Sequence, residues 1–292
     1  MKGLLVKGIA GFYYVKTEDG KVYECKARGI FKKEGITPTI GDEVEIEPLP
    51  DAEDEAVLEK IYPRKNIFIR PPICNVDTLI IVTAAAKPDP SFQIIDRFLV
   101  MAEEAGTEVI ICVNKIDLAS DEILAKFREI YETLYPLYFL CTKQGEGIKE
   151  LKEALAGRRC ALAGPSGVGK STLVNKLENV GAETGKISER TGRGKQTTRH
   201  TEIFEMEYGG MIFDTPGFTS FEVLEADEQD LPHFYPEIAK LSGRCRYDNC
   251  RHLKEPGCVV REAVKNGEIH ISRYRSYVGQ IQEIIEKEKN RY

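Results

Sequence analysis

Short apolar runs with strand-like spacing fill the first 66 residues. LLVKGIAGFYYVKT, KVYECKARGIF and DEVEIEP are β-branched or aromatic, with turn signals at Glu18-Asp19-Gly20, Glu34-Gly35 and Gly41-Asp42. Five short strands in about 60 residues fit a small closed barrel such as an OB-fold, and the acidic stretch Pro50 to Glu55 reads as a loop. From residue 67 the pattern changes. Apolar runs at 76–85, 108–115, 137–142 and 160–164 alternate with amphipathic helical stretches at 91–106, 121–135 and 147–157. Continuous apolar strands alternating with helices predict a parallel sheet covered on both faces. After about residue 222 the chain turns polar and mostly helical, ending in a helix with Ile281, Ile284 and Ile285 at helical spacing. The predicted divisions are therefore 1–66 (all-β barrel), 67–222 (α/β) and 223–292 (helical).

Composition narrows the class. A chain of 292 residues makes two or three domains at roughly 150 residues each. With 42% hydrophobic and 30% charged residues, wholesale disorder is excluded. A net charge of -6 excludes a uniformly basic nucleic-acid coat, so any such contact must come from local patches. No run reaches the ~18 apolar residues of a membrane span; Val76 to Ala86 is short and holds Asp77 and Thr78. The apolar N-terminus is broken by Lys7 and lacks a small-residue cleavage site, so a soluble cytoplasmic protein without membrane contact is expected. Cys25, Cys74, Cys112, Cys141 and Cys160 stand singly in apolar contexts and read as reduced core thiols.

Three motifs carry the chemistry. Gly164-Pro165-Ser166-Gly167-Val168-Gly169-Lys170-Ser171, between the strand CALA and the helix STLVNKLEN, matches the P-loop at every fixed position. Its backbone N–H groups cradle phosphate oxygens, Lys170 reaches the β- and γ-phosphates, and the Ser171 hydroxyl is placed for Mg²⁺, with Thr172 beside it. Asn114-Lys115-Ile116-Asp117 follows a buried strand. The Asp117 carboxylate can accept from N1–H and N2 of guanine, and adenine would leave it unpaired; Lys115 can lie along the purine, and Asn114 ties the loop together. Asp214-Thr215-Pro216-Gly217 follows the strand MIF. There Asp214 is placed as an outer Mg²⁺ carboxylate, and the Gly217 N–H can meet the γ-phosphate. Between them, Arg190 to His200 is Gly-rich and basic, a loop whose Thr197 or Thr198 would close on Mg²⁺, with Thr198 slightly favoured. Cys141-Thr142-Lys143 is the expected second base loop. An ATP-dependent kinase on the same P-loop is disfavoured by Asn114 to Asp117.

The base motif and base loop precede the P-loop, while the Thr loop and Asp214 motif follow it, so the usual GTPase order is circularly permuted, which close termini make feasible. Further on, Cys245, Cys250, His252 and Cys258 offer three thiolates and an imidazole, the donor set of one closed, structural zinc site. Arg244, Arg246, Tyr247, Arg251 and Lys254 around them, and Lys26, Arg28, Lys32 and Lys33 in the first domain, are candidate RNA-contact patches. His233 and His270 are lone and read as structural or solvated.

These motifs, in this order and over essentially the whole chain, resemble the ribosome small-subunit-dependent GTPase A family: bacterial permuted GTPases with an OB-fold before the G domain and a zinc domain after it. The resemblance implies GTP hydrolysis stimulated by the small ribosomal subunit, a role in its late maturation, contacts with 16S rRNA, GTP and GDP as ligands, and a monomer by default. An alternative is a GTP-gated RNA-binding assembly factor in which hydrolysis is incidental. One departure stands out: the family often has His just before the paired Thr, and this chain has Gln196. Gln196 can orient a water but cannot serve as a base at neutral pH. Phe218 occupies the position where Ras-like GTPases place a water-positioning Gln, which leaves His200 as a remote candidate and predicts slow turnover alone.

Overall fold

The computed structural model describes residues 1–50, 52–69, 71–178, 201–214 and 226–290. Five strands, β1 (Lys2–Ile9), β2 (Phe12–Thr17), β3 (Val22–Ala27), β4 (Glu43–Pro48) and β5 (Glu55–Ile61), close into a barrel in the order β1-β2-β3-β5-β4. The run that reads as one apolar stretch over 4–17 folds into two strands. The turn is Ala10-Gly11, both at positive φ (49° and 86°), the two-residue geometry that matches strand twist. The run expected as strand over 21–31 ends at Ala27 instead. Gly29–Lys33 forms a helical turn (α1) because Phe31 must turn into the barrel core with Leu5, Val15, Val44, Ile46 and Leu58. Closure leaves no exposed edge, so a small apolar core suffices.

After two short strands, β6 (Ile67–Phe68) and β7 (Ile73–Cys74), the α/β part runs β8 (Thr78–Ala84), α2 (Phe92–Glu104), β9 (Glu108–Asn114), α3 (Asp121–Tyr131), β10 (Leu137–Leu140), α4 (Ile148–Leu155), β11 (Arg159–Ala163), α5 (Lys170–Leu177), β12 (Glu202–Glu205) and β13 (Met211–Asp214). These strands form one six-stranded sheet in the order β10-β9-β8-β11-β13-β12. β9 and β10 pair parallel, as do β11 and β13, and β12 is an antiparallel edge. Every residue of β8 is buried, as a strand covered on both faces requires. α3 stops at Tyr131, short of the expected Tyr135, because Tyr135 precedes Pro136 and cannot stay helical. The C-terminal part holds α6 (Pro236–Ala239), α7 (Val259–Lys265) and α8 (Ile271–Lys289). His270, expected to be structural or solvated, caps α8 by accepting from the Ser272 N–H at 3.1 Å.

The chain divides into two compact units: Met1–Thr78 with Leu155–Ala161 and Leu177–Phe218, and Leu79–Ala154 with Leu162–Lys176 and Thr219–Tyr292. In the first, the barrel meets β12 through the Lys16–Glu205 ion pair, and Arg159 bonds Glu43 at 2.9 Å. In the second, α2 packs on α8. None of the described helices is long and apolar enough to cross a membrane.

Candidate nucleotide site and metal cluster

Asn114, the last residue of β9, is fully buried, and its carboxamide joins three segments far apart in sequence. Its Nδ2 donates to the Val168 carbonyl at 2.8 Å, and its Oδ1 accepts from the Thr142 N–H at 3.1 Å. The base motif, the second base loop and the P-loop are therefore held together by one side chain. Two glycines make this approach possible. Gly164 sits at φ +145°, and a Cβ there would stand 2.1 Å from the Val82 carbonyl oxygen. Gly169 sits at φ +102°, and a Cβ there would stand 2.4 Å from Asn114 Nδ2. Any side chain at either position would push the phosphate loop off the strand or off the base motif.

Lys170, at the start of α5, donates to the Gly164 and Pro165 carbonyls at 2.6 and 2.9 Å. Its ammonium thus lies along the inside of the loop it closes. Ser171 and Thr172 are exposed on the first turn of that helix. Lys115 takes a left-handed backbone (φ 62°) that lets its Nζ donate to the Gly167 carbonyl at 2.7 Å and to the Lys87 carbonyl. Asp117 Oδ1 accepts from the Cys141 thiol at 3.2 Å. Burial pushes that thiol up, and the neighbouring carboxylate pushes it further, so it stays protonated and donates. Lys143 is exposed at the tip of the same loop. Asp214 ends β13, one residue after Phe213, which stands opposite Ala161 of β11 in parallel register. Thr197, Thr198, Gln196, His200, Gly217 and Phe218 lie outside the described residues.

The β8–α2 loop carries no motif that marks it in the sequence. Lys87 supplies the carbonyl that receives Lys115, and Pro88 Cδ lies 4.0 Å from the Cβ position of Gly167. The available signal was position: a loop leaving a fully buried sheet strand beside a P-loop strand.

Cys245, Cys250, His252 and Cys258 converge, with their donor atoms all within 4.8 Å of one another. His252 Nδ1 is 3.6 Å from Cys245 Sγ and 3.4 Å from Cys258 Sγ, and the two sulfurs are 4.0 Å apart. A tetrahedral ion with thiolate and imidazole ligands needs separations of about 3.5–3.8 Å, so the cluster fits a metal ion. Burial lowers the His252 pKa and keeps the ring neutral, the form that ligates. The surrounding loop is held from α8, whose Tyr274 and Tyr277 hydroxyls donate to the His252 and Arg251 carbonyls, each at 2.7 Å. Glu255 brackets the loop from within by accepting from the N–H groups of Arg251, Leu253 and Lys254. The five single cysteines are all buried, and none of them forms a disulfide among the described residues.

Of the basic patches, Arg28 is paired with Glu59 at 2.6 Å and Arg251 with Glu228. Lys26 lies over the Phe12 ring and Arg246 over the Tyr247 ring, while Lys32, Lys33, Arg244 and Lys254 are exposed. His233 is exposed in a 3₁₀ turn.

The sequence model of the RsgA GTPase family matches residues 61–224, and that of the RsgA N-terminal domain matches residues 2–58. The chain is 44% identical to the small ribosomal subunit biogenesis GTPase RsgA of Agathobacter rectalis over 99% of this chain and 100% of that protein. It is 45% identical to the protein of the same name from Carboxydothermus hydrogenoformans, over 99% and 100%. Among solved structures it is similar to YjeQ from Thermotoga maritima (TM-score 0.84, 36% identity, covering 97% of this chain and 98% of that one). It is also similar to YloQ, described as a circularly permuted GTPase (TM-score 0.80, 36% identity, covering 98% and 95%). With its motif order permuted and both family models matched in sequence, the chain belongs to the RsgA GTPase family.

Proposed function

We propose that this protein is a GTP hydrolase acting in late maturation of the small ribosomal subunit, working as a cytoplasmic monomer on 16S rRNA and slow until the subunit activates it. The observation that carries the nucleotide part is the Asn114 carboxamide, which joins the base motif, the Thr142 loop and Val168 of the P-loop. In this reading Asp117 accepts from guanine, Cys141 orients that carboxylate, and Lys115 with Ile116, Thr142 and Lys143 walls the base. The N–H groups from Gly164 to Thr172 and the Lys170 ammonium hold the phosphates. Ser171 and Thr198 ligate Mg²⁺, which neutralises phosphate charge when bound; Asp214 and the Gly217 N–H complete the γ-phosphate side. Gln196 is the candidate for orienting water. One structural Zn²⁺ is held by Cys245, Cys250, His252 and Cys258, a donor set and spacing that suit it. The functional divisions are 1–66, 67–222 and 223–292, with rRNA contacts from the exposed lysines and arginines of the first and last. The names of the Agathobacter and Carboxydothermus relatives support the subunit assignment.

Phosphate release from GTP and from ATP, with and without purified small subunits, tests the reading. Slow GTP-only release that rises by about tenfold or more with subunits is expected, as for GTPases completed in trans. Release indifferent to subunits removes the partner and leaves the nucleotide site. Lys170→Ala is expected to abolish turnover. Asp117→Asn should lower GTP affinity by about a hundredfold and favour xanthosine triphosphate, whose 2-oxo group suits an amide donor. Unchanged kinetics in both variants would overturn the site.

A further inference from the structure

Arg273 of α8 is only 1% exposed, and it is paired on two sides inside the unit that carries the P-loop. Its Nη1 donates to Asp96 Oδ1 of α2 at 2.6 Å. Its Nε and Nη2 donate to the two carboxylate oxygens of Glu237 on α6 at 2.7 and 3.2 Å. The guanidinium lies 4.6 Å from the centroid of the Tyr235 ring, and the Tyr131 hydroxyl donates to the same Asp96 oxygen at 2.9 Å. A buried triad of this kind is weak evidence for stability, because apolar residues of equal volume often fold as well. What it imposes is geometry. The planar fork is satisfied only when α2, α6 and α8 meet in one register.

That register lies between two sites. Asp96 is one helical turn from Phe92, the first residue of α2. The loop leading into α2 supplies the Lys87 carbonyl to Lys115 and sets Pro88 against Gly167 of the P-loop. On the other side, Arg273 neighbours Tyr274 and Tyr277, whose hydroxyls hold the carbonyls of the metal loop. The seam is also poised to change. Among the described residues, the Tyr235 hydroxyl and both amide atoms of Gln280 on α8 are buried with no hydrogen-bond partner. A seam with spare donors and acceptors re-pairs when helices shift, at lower cost than an apolar one.

We infer that Arg273 is a positioning residue: by pinning α2 through Asp96 and α6 through Glu237, it couples occupancy of the nucleotide site to the order of α8 and the metal loop. The inference rests on the P-loop binding a guanine nucleotide, as proposed above.

The test is regional hydrogen–deuterium exchange on the full-length, metal-loaded protein, with and without saturating GDP. GDP binding is titrated separately for each variant. In the natural protein GDP should slow exchange over 245–258 and 271–281 by about fivefold or more. Asp96→Asn keeps the shape and removes one charge of the pair, and it should lose most of that slowing while GDP is still bound. Arg273→Lys should retain part of it, because the charge remains and the fork does not. A merely structural role gives a different result: exchange rises in the variants equally with and without GDP, and the ratio stays as in the natural protein. That outcome overturns the coupling, as does a natural protein that binds GDP with no slowing in either segment. A natural protein that binds no GDP at all overturns the nucleotide reading itself, and the separate titration distinguishes the two failures. If Asp96→Asn loses its helical signal, Arg273→Lys carries the comparison on the same terms.

Discussion

The barrel core is filled by Leu5, Val15, Cys25, Val44, Ile46 and Leu58, with Phe31 closing one side. The C-terminal helices bury Leu231, Tyr235, Ile238, Val260, Tyr277 and Ile281, but around that apolar group they also bury Arg273, Asp96 and Glu237 and bring together four side chains that could hold a metal ion. Both regions are short, and a short chain buries too little apolar surface to be stable without help. The barrel answers by closing its hydrogen-bond ladder on itself, so each strand has two neighbours. The helices have no ladder between them, and their loop over 244–257 has few apolar residues. They depend on directional bonds such as the Arg273 ion pairs, which fix geometry as well as energy. A region held by directional bonds can transmit a change of state, whereas one held by close apolar packing resists it.

The contrast sets an order of expected effects. Removing the metal with a chelator should be the most damaging, since structural zinc contributes on the order of 10 kcal/mol of binding free energy to folding. Circular dichroism should show helix lost from the C-terminal region while regional exchange in the barrel stays slow; loss of barrel protection at the same chelator concentration would break the contrast. Arg273→Met comes next. Leaving Asp96 and Glu237 buried without their cation should cost about 3–5 kcal/mol, read as a lower denaturation midpoint. Replacing all three by apolar residues should recover most of that loss while leaving the GDP-dependent exchange absent. In the barrel, Leu58→Ala should cost about 2–5 kcal/mol by cavity formation, without changing how tightly the C-terminal cluster retains metal. Metal retention that falls with it would mean that the two regions do not fold independently. The smallest effect belongs to Lys16→Ala at the Lys16–Glu205 surface pair, under about 1 kcal/mol and reduced by added salt.

Much of this was legible along the chain. The alternation of apolar strands with amphipathic helices between 76 and 164 predicts the parallel sheet, and the observed elements fall within the expected runs except β11, which starts one residue earlier at Arg159. The P-loop, the base motif and the cluster of cysteines are local patterns whose chemistry follows from residue type and spacing. Asn114 was expected to tie its own loop; its bond to Val168 was not legible, because a partner 54 residues away is set by the sheet order. The missed features share that origin. KPDP between β8 and α2 reads as a generic turn, and only β8's place in the sheet brings Lys87 to Lys115. In α8 the pattern drew attention to Ile281 and Ile284, while Arg273, Ser276 and Gln280 lie buried on the same helix. An arginine in a helix reads as solvated unless its partners are known, and Asp96 is 177 residues away.

The sequence by itself determined the family, the permuted order of its parts, the phosphate and base motifs and the cysteine–histidine cluster that could hold a metal ion, because each depends on residue type and short-range spacing. Tertiary structure alone decided which distant groups meet: Asn114 with Val168, Lys87 with Lys115, and Arg273 with Asp96 and Glu237. A charged side chain has no intrinsic preference for a particular distant partner. The packing of helices and the order of strands choose the partner, and once the pair is removed from water the cost of breaking it holds that choice in place.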